Sequence, residues 1–201
     1  TERDALLWVM VKQGLQKRVA DLSSKVLCDI LIISTACKEA DKAIQENFGK
    51  DYNSLDLWDT IEPIITMKMR DMKLPDLINL LWCASELKKG SDPFLKELEK
   101  NLTRLILKVG DDDFEQLLTC FTREESNPLK DSKFAKNLLQ MVLSVLEKKK
   151  DRFQLRTLVS IGWQLSKLEF SATEQVIEAL NGIRDYERMH EGLESLSQKN
   201  Q

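Results

Sequence analysis

Residues 74–93 read Leu74-Pro75-Asp76-Leu77-Ile78-Asn79-Leu80-Leu81-Trp82-Cys83-Ala84-Ser85-Glu86-Leu87-Lys88-Lys89-Gly90-Ser91-Asp92-Pro93. Leu77, Leu80, Leu81, Ala84 and Leu87 recur at i, i+3, i+4, i+7 and i+10, the spacing of one helix face. Pro75 falls in the first turn, where a missing N–H costs nothing, and Gly90 is a stop signal. Asp92 then offers a cap and Pro93 a first-turn residue for a second helix. That helix carries Phe94, Leu95, Leu98, Leu102, Leu105 and Ile106 and ends before Gly110. The stretch therefore predicts two helices joined by a tight turn, each with one apolar face.

The same plan continues downstream. Asp111-Asp112-Asp113 offers caps for a helix with Phe114, Leu117, Leu118 and Phe121, and the Ser126-Asn127-Pro128 turn leads to a partner with Phe134, Leu138, Leu139, Val142 and Leu146. A third pair has Leu155, Leu158, Val159, Gly162 and Leu165, then Val176, Ile177, Leu180 and Ile183 behind a Ser171 or Thr173 cap. Leu77, Phe114 and Leu155 open the three first helices. The fold expected is all-α: an α-solenoid of stacked antiparallel helical pairs with a period of about 37–41 residues, since one pair cannot bury its apolar face alone. The units run 74–110, 111–150 and 151–192. They follow an irregular helical region at 1–73 and precede a polar tail at 193–201. In this register Leu81, Leu118 and Val159 occupy equivalent buried positions.

Upstream, Leu6, Leu7, Met10 and Val11 suggest a helix broken near Gly14. Val19–Ala43 reads as a second helical region, Phe48-Gly49 and Tyr52-Asn53-Ser54 as a loop, and Leu57–Met72 as a helix containing Pro63. Asn101-Leu102-Thr103 matches a glycosylation triplet but lies inside a helical pattern, which argues against its use.

Of 201 residues, 31% are charged and 42% hydrophobic, the balance of a folded soluble chain. The net charge of −3 carries no global sign of polyanion binding. Locally the charge is uneven: residues 111–131 hold seven acids against two bases, whereas residues 147–167 hold six bases against two acids. No apolar run approaches the ~20 residues of a membrane span. Cys28, Cys37, Cys83 and Cys120 sit in apolar contexts without a CxxC pair, which favours buried free thiols over zinc ligation or a disulfide framework.

The segment Leu74–Leu87, with its Pro, Leu-x-Asn-Leu-Leu-Trp, Ala and Leu, resembles the first helix of octotricopeptide and heptatricopeptide repeats and of the related FAST-kinase-like proteins. Leu155–Leu168 looks like a weaker copy, with Gly162 in the column of Ala84, and Asp4–Val11 like a remnant of another. No counterpart of the RAP module common in that family is visible. The resemblance implies a mitochondrial protein associated with RNA, in a ribonucleoprotein such as a mitoribosome, with neighbouring protein subunits as further partners. The open alternative is a protein-only scaffold subunit of a large mitochondrial complex, which the acidic balance favours.

Two sets of residues are candidates for RNA contact. Matching units on Leu77, Phe114 and Leu155 places Asn79, Gln116 and Thr157 in one column of hydrogen-bonding side chains, as one-base-per-repeat readers require. Such positions are also polar simply because they are solvated. Lys148, Lys149, Lys150, Arg152 and Arg156 form a basic turn suited either to phosphates or to the negative end of a helix dipole. Trp82 and Trp163 have base-stacking chemistry, but helix packing is the simpler use of both. His190 is the single histidine, and no nucleophile–base set can be assembled around it. The expectation is no catalytic residues, no metal site and no cofactor.

Overall fold

The computed structural model describes residues 10–38, 42, 46, 57–122, 133–149 and 155–166; all secondary structure among them is helical. Residues 10–16 are helical. Seven further α-helices follow: α1 (Ser24–Ala36), α2 (Leu57–Lys68), α3 (Leu74–Leu87), α4 (Asp92–Leu105), α5 (Asp111–Thr122), α6 (Lys133–Lys149) and α7 (Leu155–Ser166). Expectations placed on residues 1–9, 47–56, 123–132, 150–154 and 167–201, the loop at Phe48–Ser54 among them, lie outside the described residues.

Local chemistry sets the boundaries. The region expected as one helix from Val19 is divided: a 3-10 turn at Val19–Asp21 ends at Leu22, and Ser23 caps α1 by accepting from the Val26 N–H at 3.4 Å. Ser91, one residue before the expected Asp92, caps α4 by accepting from the Phe94 N–H, with Pro93 just inside. Lys88 adopts the left-handed conformation at the end of α3, with φ 55°, and Gly90 follows at φ 125°. The reversal thus spans both residues and draws on glycine's tolerance of positive φ at the second. Pro63 lies inside α2 with its ring exposed.

Apolar faces then choose their partners. In α3, Leu77, Ile78, Leu80, Leu81, Cys83 and Ala84 are all fully buried; in α6, Phe134, Ala135, Leu138, Leu139, Val142, Val145 and Leu146 line one face. A large apolar side chain contributes about 1.5–3 kcal/mol when fully removed from water. Helix α1 packs on α3, α3 on α5 and α5 on α7, while α2 packs on α4 and α4 on α6; α1 also packs on α2 and α3 on α4. Helices of one row run the same way, because their cross-links ascend together. Lys25 pairs with Asp76 and Lys38 with Glu86; Asp111 meets Thr157 and Thr119 meets Gln164. In the second row the Trp58 and Phe94 rings meet edge-to-face at 5.2 Å, and Asn137 donates to Glu99 at 2.8 Å.

The passage from a second-row helix to the next first-row helix is built the same way three times. A three-residue 3-10 turn (Val19–Asp21, Met69–Asp71, Ile106–Lys108) follows the helix, directly in the second and third passages and after Lys17 and Arg18 in the first; two residues follow, and the next helix begins. The closing bonds also recur, with Leu22 N–H donating to Val19 O, Met72 to Met69 and Val109 to Ile106 at 3.1–3.2 Å. Val19, Met69 and Ile106 are the buried anchors.

The sequence register of the last helix needs correction. Leu81 and Leu118 are fully buried as expected, but Val159 is 58% exposed. Shifting α5 onto α7 by 44 residues instead of 41 makes the buried positions coincide: Leu117, Leu118 and Cys120 fall on Ile161, Gly162 and Gln164. The same register puts Trp163 in the column of Trp82 and moves Gly162 from Ala84 to Leu81. The sequence misleads here because Leu155 is apolar and opens its helix, as Leu77 nearly does, yet the helix face that meets α5 starts later.

Candidate nucleic-acid interface

The basic turn lies between α6 and α7. Lys148 is exposed in the last turn of α6, Lys149 is the final residue of that helix, and Arg156 is exposed in the first turn of α7. Lys150 and Arg152 lie outside the described residues. A cation in the last turn of α6 meets the negative pole of the helix, which favours Lys148 and Lys149 there. Arg156 stands at a helix N-terminus, where the dipole disfavours it.

The proposed column of uncharged side chains is only partly assembled. Gln116 Nε2 donates to Asn79 Oδ1 at 2.7 Å, so these two amides stand side by side across α3 and α5. Asn79 is half-buried and Gln116 exposed, leaving the Asn79 amide N–H groups and the Gln116 carbonyl oxygen outside that bond. Thr157 is not the third member. It is buried, and its hydroxyl donates to the Asp111 carboxylate at 3.0 Å. In the corrected register Ser160 follows Gln116 instead. Asp111, expected as a cap, is the first residue of α5 and holds α7.

Trp82 is half-buried and packs against the core, whereas Trp163 is 61% exposed on α7 with Val159 one turn before it. The triplet asparagine Asn101 is buried, its amide donating to the Glu97 carbonyl and carboxylate at 2.9 Å. Beside Lys100 and Asn101, the Glu97 carboxyl is held below its ordinary range. Cys28, Cys83 and Cys120 are buried and Cys37 is half-buried, none of the four in a disulfide. Among the described residues no cluster of three or more metal-ligating side chains forms, and no helix is long and apolar enough to cross a membrane.

Sequence reasoning missed the cations at the earlier turns. Lys17 and Arg18 precede the first 3-10 turn; Arg70 lies within the second and Lys73 just after it; Lys108 closes the third. All five are exposed. They escape notice because each is diluted by Asp21, Asp71 or apolar neighbours, so no basic run appears. Their common signal is position relative to the 3-10 turn. Two related cations serve as interlocks: Lys68 Nζ donates to Leu22 O at 2.6 Å and Ala20 O at 3.3 Å, and Arg104 donates to Arg70 O at 2.9 Å. No protein-family profile, curated protein or solved structure matches the chain.

Proposed function

We propose that this chain is a non-enzymatic, RNA-associated helical-repeat protein of mitochondria, a component of a ribonucleoprotein such as a mitoribosome. The observation that carries this reading is that Lys148 and Arg156 are both exposed at the α6–α7 junction, with no carboxylate within 4 Å among the described residues. The α-solenoid of antiparallel pairs belongs to the same proposal. Two rows of co-directional helices and three like-built connections support it, since a stacked array needs each unit to present the same face to the next. The mitochondrial setting follows from the resemblance at Leu74–Leu87.

A protein-only scaffold is the second reading. Val26 and Ile33 on α1 and Val159 on α7 are large exposed apolar side chains, of the kind that meets a protein partner. A filter-binding titration of the purified chain with single-stranded RNA separates the two. Substituting Lys148→Gln, Lys149→Gln and Arg152→Gln together is expected to weaken binding and reduce its salt dependence, by about 0.7 in log–log slope for each phosphate no longer neutralised. Equal binding by the triple variant reduces this turn to a solvated helix end. An absence of RNA binding by the parent gives the scaffold reading the lead.

A further inference from the structure

We infer that RNA lies along one edge of the molecule, held by its phosphates without reading of its bases, on the exposed cations at the successive second-row helix ends. This rests on the reading of the chain as RNA-associated and specifies which part of the RNA is engaged. The cations are Lys17 and Arg18, then Arg70 and Lys73, then Lys108, then Lys148, all exposed.

Three links place these groups on one edge. Lys68 bonds the carbonyls of Ala20 and Leu22, which fixes the first 3-10 turn against the end of α2. Arg104 bonds the Arg70 carbonyl, which fixes the second turn against the end of α4. Asn137 on Glu99 sets the register of α6 on α4, and α6 packs on the third turn, Ile106–Lys108, so the end of α6 continues the series. Neighbouring helices in a packed row stand about 8–10 Å apart, so four helix ends span roughly 25–30 Å. At about 3.4 Å per stacked nucleotide that length corresponds to about eight nucleotides.

Cations without carboxylate partners set the class of ligand. Lys68 and Arg104 already supply the cations that bond the turn carbonyls, so the remaining six exceed what the fold uses. Among the described residues, none of the six has a carboxylate within 4 Å. The acids of this edge are Asp21 and Asp71 in the turns and Asp76, Asp111, Asp112 and Asp113 at the first-row helix starts. Of these, Asp76 is paired with Lys25 at 3.3 Å, while Asp111 accepts from the neutral Thr157 hydroxyl and keeps its charge. Glu97 feels the Arg70 charge but is held by Lys100 at 3.1 Å. Acids therefore line mainly the first-row side of the edge and repel a strand toward the second-row side. The six residues are lysines and arginines only, which position a phosphate backbone; among the described residues the edge offers no aromatic platform for base stacking. The side chains with amide chemistry, Asn79 and Gln116, lie along the first-row helices and bond each other.

The test is fluorescence anisotropy of the whole chain with labelled single strands of uridine, adenosine and mixed sequence, about 20 nucleotides long, at KCl concentrations from about 50 to about 300 mM. Expected are affinities within about fivefold across the three RNAs, equally strong competition by single-stranded DNA, and a plateau in affinity above about eight nucleotides. The variant R70Q/K73Q/K108Q/K148Q should lose at least about tenfold in affinity and about 3 units of salt slope, at about 0.7 per phosphate. Single K108Q and K148Q variants should each lose about 0.7, which tests the edge even if the quadruple variant folds poorly by circular dichroism. Parent-like binding by these variants overturns this inference and leaves RNA association standing. So does a preference of about 100-fold for one sequence that N79A/Q116A abolishes. A parent that binds none of the strands overturns both.

Discussion

Cys28, Cys83 and Cys120 face into the first-row core, and burial is the main reason their thiols resist ionisation. Cys28 and Cys83 are pushed up to about 12, and Cys120 is raised as well. Several neighbouring groups act in the same direction: Cys83 on Cys28 and on Cys120, and Glu86 on Cys83. In the unfolded chain a thiol ionises near pH ~8.5. The folded values are raised, so this contribution is complete below about pH 8.5 and is lost as pH climbs toward the folded values. Between them the native state holds protons that the unfolded state has released, and each buried thiol withdraws up to about 1.4 kcal/mol of stability per pH unit. Urea midpoints should be level from about pH 7 to about pH 8 and fall steadily from about pH 9, with a shallower fall in C83A/C120A. A parent midpoint unchanged to about pH 10 would place these thiols in contact with solvent. The apolar neighbours of these cysteines in sequence already pointed inward. By contrast Val159 looks the same in sequence as Leu118, and only the packing of α7 on α5 turns it outward.

Elements were legible where periodicity and punctuation agreed. Helices α3 and α4 fall where the leucine spacing, Pro75, Gly90 and Pro93 place them, within a residue at the cap. The register of α7 was not, because Leu155, Leu158, Val159 and Gly162 fit two alignments and only the tertiary packing separates them. The 3-10 turns were hidden for another reason. Their closing bonds are backbone bonds, and the cations that secure them act on carbonyls of a neighbouring unit 34–48 residues away in sequence. These interlocks should matter to stability: Lys68→Met keeps the apolar stem and removes the donor to Leu22 O. A cost of about 0.5–1.5 kcal/mol is expected, rising to about 3 kcal/mol if the carbonyl is left without solvent. Lys73→Met, an exposed change of the same chemistry two residues beyond the next 3-10 turn, should shift stability by about 0.5 kcal/mol or less. Equal effects from the two in urea melts would mean that the Lys68 bond does not hold the turn.

At the scale of the whole molecule, the order of packing makes a prediction that a shared central core would not. Leu31 on α1 and Ile161 on α7 are both buried, in helices separated along their row by α3 and α5. If stability is carried from neighbour to neighbour, as in stacked repeats, the two sites are independent. Leu31→Ala should cost about 2–5 kcal/mol and Ile161→Val about 0.5–1.5 kcal/mol. The double variant should lose their sum within about 0.5 kcal/mol in urea melts that remain two-state. Trp58 and Phe94 supply the contrast, since their rings meet across α2 and α4 at 5.2 Å. Replacing each by Leu, singly and together, should reveal a coupling of about 0.5–1.5 kcal/mol for the ring pair. A coupling between Leu31 and Ile161 as large as that between Trp58 and Phe94 would mean one common core, and the linear arrangement on which the cationic edge depends would fail with it. Independence at long range together with coupling at short range is the energetic signature of a row of helices whose exposed ends stay in line.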